Sequence, residues 1–325
     1  MSSSSAASED DAHHSETDDT LPPILPPPAY ELASLDEPLA NMPELDDAQS
    51  KALDALRAVA DEIVATRGWT DDAIKRAWLD EACLRRFLRA RSWNVDDSAT
   101  LLRDCCEWRD AKKIWTLRTD RADVLKFEIA TGKMYRNGFD KQKRPIIYSR
   151  DRRQNSKDYV AQVESVINCL ERTAATMDRS AGVEQWVFMF DFAGYSMSNA
   201  PPMHVSREVL DVFQSRYPER LGLAVMIDVP WLWSITFKAI SPFLSASTKA
   251  KIRFVSGDLA TKREALIDVI DPAVLEHYFG GDNKARYYPG AYWDAETREL
   301  ARENVPVADA DDGVAKKSHR RKKKK

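Results

Sequence analysis

Glu219 and Arg220 precede a short apolar run at 224–228, and Lys251 opens another at 251–255. In an open parallel sheet such positions can converge at one edge, where they could hold a charged ligand. Solvated surface charge accounts for the same three residues and is the plainer reading. Arg91 is more pointed. In Leu84-Arg85-Arg86-Phe87-Leu88-Arg89-Ala90-Arg91, Leu84, Phe87, Leu88 and Arg91 fall at i, i+3, i+4 and i+7, so Arg91 sits where the apolar stripe of a helix should continue. A guanidinium there needs an acidic or phosphate partner. A salt bridge to an acid on a neighbouring helix satisfies it as well as a bound phosphate does.

Other chemistries find little support. The chain has 11 glycines and neither GxGxxG nor GxxxxGK, and the turn after the apolar run at 185–191 is Phe192-Ala193-Gly194-Tyr195-Ser196, which is not a phosphate cradle. GxSxG is absent too. Cys83, Cys105, Cys106 and Cys169 lack metal-ligand spacing, and they read as reduced thiols of a cytosolic protein. Of the five histidines, His13, His14 and His319 lie in tail segments. An enzyme is not expected, nor a metal or cofactor.

The segment at 230–244 is PWLWSITFKAISPFL. Read as a helix, it is polar only at Ser234, Thr236, Lys238 and Ser241, and Ser234, Lys238 and Ser241 form one narrow stripe. Such a helix must be buried or face lipid. It is too short to span a bilayer, which takes about 20 apolar residues. The combination suggests a soluble protein that handles lipid.

The elements that must position these residues follow from changes in period. Residues 1–45 are Ser/Asp/Glu-rich and then Pro-rich, and are expected to be a disordered arm; the Pro cluster at 22–28 reads as a linker or as a ligand for an SH3- or WW-type partner. Residues 46–122 read as a unit of short helices at 48–66, 81–91 and 96–115, with Thr70-Asp71-Asp72 as a further cap and first-turn acid. From 123 to 285 strands at 144–149, 185–191, 224–228 and 251–255 alternate with helices at 159–178, 204–214, 230–244 and 262–270, and residues 272–278 close the unit at Gly280-Gly281. That alternation implies an α/β fold with a mostly parallel sheet flanked by helices. Residues 286–305, with Tyr287, Tyr288, Tyr292 and Trp293, are expected to pack back onto the fold.

The chain has 325 residues, room for one large domain plus accessory segments, and 43% of them are hydrophobic, enough for a sizeable core. Its start, Met1-Ser2-Ser3-Ser4-Ser5, has neither the basic nor the apolar region of a signal peptide. The net charge of −4 hides an asymmetry: residues 316–325 carry eight Lys/Arg and no acid, and the rest has 40 basic against 52 acidic residues, a net −12. A nucleic-acid-binding domain would carry its basic charge on the fold, so no nucleic acid is expected as partner. The tail at 306–325 reads as a disordered segment that draws the protein to anionic membranes, or as a nuclear localisation signal.

Several motifs together carry a resemblance. Residues 84–108 read LRRFLRARSWNVDDSATLLRDCCEW. With YPERLG at 217–222, PWLWSITFKAISPFLSASTKAKI at 230–252 and FGGD at 279–282, the chain resembles CRAL-TRIO lipid-binding proteins over about residues 46–295. It is most similar to the yeast-type phosphatidylinositol transfer proteins of the fungal subgroup that pairs phosphatidylinositol with a second lipid such as a sterol. The resemblance implies a helical N-terminal unit and an α/β lobe with an apolar lipid pocket closed by a mobile gate helix. It assigns Arg91, Glu219, Arg220, Thr248 and Lys251 to the phosphatidylinositol headgroup, and Trp231, Leu232, Trp233, Ile235, Phe237, Ile240, Phe243 and Leu244 to the gate. Ser92 stands where better-known members have a basic residue. Trp186 and Phe188 stand where phosphatidylcholine-binding members have Ser and Thr; with Phe190 they are expected to line an apolar pocket suited to a sterol-like lipid. The implied protein is a cytoplasmic, peripherally membrane-associated, monomeric carrier that exchanges phosphatidylinositol for a second apolar lipid. The alternatives are a lipid-sensing adaptor that presents phosphatidylinositol to a lipid kinase, and a carrier of another hydrophobic ligand.

Overall fold

A computed structural model describes residues 21–26, 44–178, 182–196, 201–231, 233, 237–238 and 241–303. The first unit is helical with its own core. It comprises α1 (Asp47–Thr66), α2 (Ala73–Trp78), α3 (Glu81–Arg89) and α4 (Val95–Ala111). Side-chain caps start each helix: Asp46 closes a capping box with Gln49, and Asp72, Asp80 and Asn94 accept the backbone N–H of Lys75, Cys83 and Asp97. Asp72 is therefore the cap of α2 itself, where the sequence reading made it a first-turn acid. Leu53, Leu56, Leu84, Phe87, Leu88 and Leu102 fill one cluster between the helices. All four cysteines are buried and free.

Two short helices, α5 (Leu117–Asp120) and α6 (Ala122–Ile129), lead into a sheet of β1 (Met134–Phe139), β2 (Pro145–Arg150), β3 (Trp186–Asp191), β4 (Leu221–Ile227) and β5 (Ile252–Val255). Their order is β1-β2-β3-β4-β5, with β1 antiparallel to β2 and the others parallel. The α/β fold with a mostly parallel sheet flanked by helices is the one the sequence implied. Parallel strands added in one direction, with crossovers of one hand, put every crossover on the same face. That face receives α7 (Tyr159–Ala175), α8 (Met203–Asp211), a π-turn at Val212–Arg216 and α9 (Ala246–Ala250). Trp186 and Phe188 of β3 point to it, together with Val163, Ile167 and Leu170 of α7. Val187 and Met189 point the other way, against α10 (Leu259–Leu266), Phe279 and Tyr292 of α11 (Pro289–Glu303).

Three features depart from the sequence reading. The edge strand β1 had no strand signal, because its middle is Arg136-Asn137-Gly138; Arg136 is fully buried, and its Nη2 is 3.0 Å from both Glu296 and Glu299 of α11. Residues 272–278, read as closing the unit in helical form, form turns, with a 3-10 turn at His277–Phe279. A side chain at Gly281 would place its Cβ 1.7 Å from the Leu275 carbonyl oxygen, so that turn can close only on glycine. Residues 21–26, part of the arm expected to stay apart from the fold, pack on it. Ile24 is buried, its N–H donates to the Arg286 carbonyl at 2.6 Å, and the Arg286 N–H donates to the Pro22 carbonyl at 2.9 Å. Residues 1–20 and 27–43 of the arm and the basic tail lie outside the described residues.

One buried cation joins the helical unit to the lobe. Arg109 of α4 is 1% exposed at its side chain and grips Glu171 of α7 bidentately, at 3.0 and 2.7 Å. The guanidinium lies 4.5 Å from the Trp78 ring and 4.2 Å from that of Trp115. Tyr217 donates its hydroxyl to the same carboxylate at 2.5 Å. Burial by itself would raise the Glu171 pKa, but the charge and hydrogen bonds of Arg109, with the Tyr217 hydroxyl, hold it below its ordinary 4.5. A depressed carboxylate contributes stability above its unfolded value and loses it as pH falls through the folded one. Two outcomes are expected in urea unfolding. Arg109→Met should lose about 3–5 kcal/mol, since it strands a buried carboxylate. Below about pH 4.5 the wild type should lose stability more steeply than Glu171→Gln; parallel curves would detach Glu171 from acid unfolding.

Candidate functional site

Alternate residues of β3 and β4 form one wall of a cavity of about 970 Å³, near the top of the usual size range of ligand pockets. Trp186, Phe188 and Phe190 come from β3, and Ala224 and Met226 from β4. Val209 and Leu210 of α8 and Phe213 of the π-turn face them. Phe188 and Phe190 stack at 4.1 Å, and the Phe213 ring meets Phe188 edge-on at 5.6 Å. Trp186 and Phe188 are each 1% exposed, so they serve as core and as cavity wall together. The three aromatics singled out in the sequence therefore all lie along the cavity.

The segment read as a gate closes part of the cavity's side. Trp233, Phe237 and Leu244 line it. Trp233 is 5% exposed, with its ring 5.0 Å from Phe192 and 4.9 Å from Phe237. Trp231 is not in the wall; it stands 82% exposed to solvent. Trp233, Phe237 and Lys238 are helical and Ser241–Phe243 form a 3-10 turn. Leu232, Ile235 and Ile240, and the Phe243 side chain, lie outside the described residues.

The charged residues converge at one mouth. Arg91, Glu219, Arg220, Thr248 and Lys251 all line the cavity there. Their settings differ. Arg91 is not on a helical stripe, as its spacing suggested: α3 ends at Arg89, and Ser92 and Trp93, with φ of 50° and 65°, turn the chain. Arg91 reaches the mouth from that turn, and its guanidinium bonds only the adjacent Ala90 carbonyl among the described residues, at 3.0 Å. Glu219, at φ 59°, occupies the turn before β4 and stands 3.7 Å from the Lys251 amine. Both are about a quarter exposed, which leaves that pair weak and exchangeable. Thr248 sits 2.8 Å from the Ser245 hydroxyl that caps α9. Arg220 is 5% exposed and donates to the Glu184 carbonyl at 2.8 Å, with the Met177 sulfur at 3.2 Å. Arg89, which sequence reasoning passed over, also lines the mouth and pairs with the Glu184 carboxylate at 2.5 Å.

The opposite end of the cavity carries one acid that the sequence did not single out. Asp151 follows β2, where Arg150 is in register with Asp191 at the end of β3. Arg150 binds Glu276 at 2.6 Å and Arg152 binds Asp191 at 3.3 Å. The Asp151 carboxyl has no hydrogen bond or ion pair among the described residues, and it lines the cavity. Burial first, then the Asp191 carboxylate, pushes its pKa up to about 6. Among the described residues no cluster of His, Cys, Asp and Glu could hold a metal ion, and no helix is long and apolar enough to cross a membrane.

Residues 129–281 match the CRAL/TRIO domain and residues 52–104 match the CRAL/TRIO N-terminal domain. Phosphatidylinositol transfer protein PDR17 of Saccharomyces cerevisiae is 32% identical over 228 residues, which is 67% of this chain and 62% of that protein. A CRAL-TRIO domain-containing protein of Schizosaccharomyces pombe is 32% identical over 221 residues, 68% of this chain but 20% of that protein. The chain thus spans less than two thirds of either relative. Among solved structures, the crystal structure of Sfh5 superposes with a TM-score of 0.59 at 15% identity, over 81% of this chain and 99% of that one, which is a likeness of fold.

The burial contrast at the mouth makes a prediction for folding. Lys251→Ala should leave the unfolding free energy in urea within about 0.5 kcal/mol of wild type, because it removes only a weak, partly exposed ion pair. Arg220→Ala should lose about 1–3 kcal/mol, because it strands the buried Glu184 carbonyl. Equal losses would mean that the two cations are equally structural.

Proposed function

The chain belongs to the CRAL/TRIO family, and from that premise we propose that it carries phosphatidylinositol between membranes and exchanges it for a second, sterol-like apolar lipid. The observation that carries the reading is a single cavity whose wall is aromatic and aliphatic and whose mouth gathers Arg91, Arg220 and Lys251 beside Glu219 and Thr248. Acyl chains left in water cost about 0.8 kcal/mol per CH₂, and an apolar cavity of this size removes that cost in transit. The cations suit a lipid phosphate, and Glu219 and Thr248 suit ring hydroxyls. Glu219 stands against the Lys251 amine and would yield it to a phosphate.

The second lipid is read from Trp186 and Phe188. Neither offers a hydroxyl to a choline phosphate, and both fill the strand face with flat apolar surface, which suits a sterol better than phosphatidylcholine. Trp231, exposed beside the buried Trp233, suits contact with a membrane surface during exchange. The same segment would cover the acyl chains when it lies closed over the cavity. Residues 316–325 add Lys and Arg that would draw the protein to an anionic leaflet, at about 1 kcal/mol per residue near the surface.

Two measurements test this reading. Mass spectrometry of lipids extracted from the protein purified from a eukaryotic host should find phosphatidylinositol and a sterol without phosphatidylcholine. Phosphatidylcholine in the cavity would overturn the meaning given to Trp186 and Phe188. In a vesicle assay, Lys251→Ala should slow phosphatidylinositol transfer about tenfold or more; transfer at the wild-type rate would remove Lys251 from the headgroup site.

A further inference from the structure

The end of the cavity away from the mouth is built differently from the rest. The mouth residues Glu219 and Arg220 precede β4, whose first residue pairs with Trp186, while Asp151 follows β2 beside Asp191. Five residue steps of β3 separate the two ends, about 17 Å at the rise of a strand. Around the Asp151 end, Phe190, Phe192 and Tyr195 line the cavity, and Trp233 packs on Phe192. A carboxyl among such rings would ordinarily take an arginine. Three arginines adjoin it in sequence, yet Arg150 is committed to Glu276 and Asp191 and Arg152 to Asp191 and Tyr278, and Arg153 reaches back to the Thr131 carbonyl. Among the described residues Asp151 lines the cavity as a hydrogen-bond acceptor without a donor.

We propose that Asp151 receives the hydroxyl of a neutral apolar lipid that lies head-inward along the cavity, at the end opposite the charged mouth. The assignment rests on the carrier reading and names the polar group by which its second ligand is recognised. An unpaired carboxylate repels a phosphate, so a phospholipid headgroup does not suit this end. A rigid lipid with one hydroxyl does: its body stacks along Phe190 and Phe188, and its donor meets the Asp151 carboxylate. The carboxyl, raised to about 6, is mostly ionised at neutral pH and accepts such a donor strongly. The same cavity would then sort its ligands by orientation. Phosphatidylinositol enters with its headgroup held at the mouth, and the hydroxylated lipid enters with its polar end inward.

The test uses the full chain and two probes, dehydroergosterol and its analogue lacking the 3-hydroxyl, followed by energy transfer from the protein's tryptophans. Wild type should bind dehydroergosterol about ten- to a hundredfold more tightly than Asp151→Leu, the size of a hydrogen bond to a charged group. Asp151→Asn, which keeps the shape and one acceptor, should fall between them and controls for folding. The deoxy analogue should bind wild type and Asp151→Leu alike. The proposal is overturned if Asp151→Leu holds dehydroergosterol as wild type does, if both probes weaken together, if wild type binds neither, or if phosphatidylcholine proves to be the ligand whose capture depends on Asp151. Phosphatidylinositol transfer by the wild type is read separately: its absence, with Asp151-dependent sterol binding intact, would sink the transfer reading and leave this assignment standing.

Discussion

The clamp of Arg109 on Glu171 is the interaction on which the placement of the site depends. It joins a helix of the N-terminal unit to the first crossover helix of the lobe, and Tyr217 ties the turn before β4 to the same carboxylate. The mouth draws Arg91 from one side of that joint and Glu219 and Arg220 from the other. A slip between the two units would pull the cations apart even if each unit kept its own core. Two tryptophan rings replace the water that the guanidinium gives up, and the bidentate pair fixes orientation as well as distance.

The cavity follows from topology. Strands added in one direction put every crossover on one face, and that face must be covered by elements of different length and character. α7 packs against it closely. α8, the π-turn, Trp233 and Phe237 border a gap lined also by Phe188, Phe190 and Met226. α10, α11 and the closing turns cover the opposite face, where Arg150 binds Glu276. Buried ion pairs hold both sides of the sheet, Arg150 on Glu276 on the closed side and Arg109 on Glu171 at α7, while the exchangeable pair of Glu219 and Lys251 belongs to the cavity side.

The two ends of the cavity divide the polar work. At the mouth the charges are several, and the partly exposed pair of Glu219 and Lys251 suits a group that must enter and leave. At the far end, among the described residues, the Asp151 carboxyl stands unpaired in aromatic surroundings. An apolar body between them sets no direction of its own, so the polar ends decide which way a ligand lies.

Much of this was legible in the sequence, and the limits are physical. Short apolar runs marked the parallel strands, which are buried on both faces, and a 3.6 period marked the main helices, which each hide one apolar face. The motifs around Arg91, Glu219, Arg220, Thr248 and Lys251 named residues that do share one mouth. What escaped were features whose reason lies far along the chain. β1 reads as polar because its buried Arg136 is neutralised by acids about 160 residues away. Ile24 reads as linker because the backbone it pairs with is at Arg286. Arg91 reached the mouth through a turn at Ser92 and Trp93 rather than along a helical stripe. Asp151 sits among arginines in a run that reads as solvated charge, and only the folded chain commits those arginines elsewhere. Local pattern records which face of an element avoids water. Which charges find partners, and which one is left facing a cavity, is decided by contacts between residues distant in the chain, and so only by the tertiary structure.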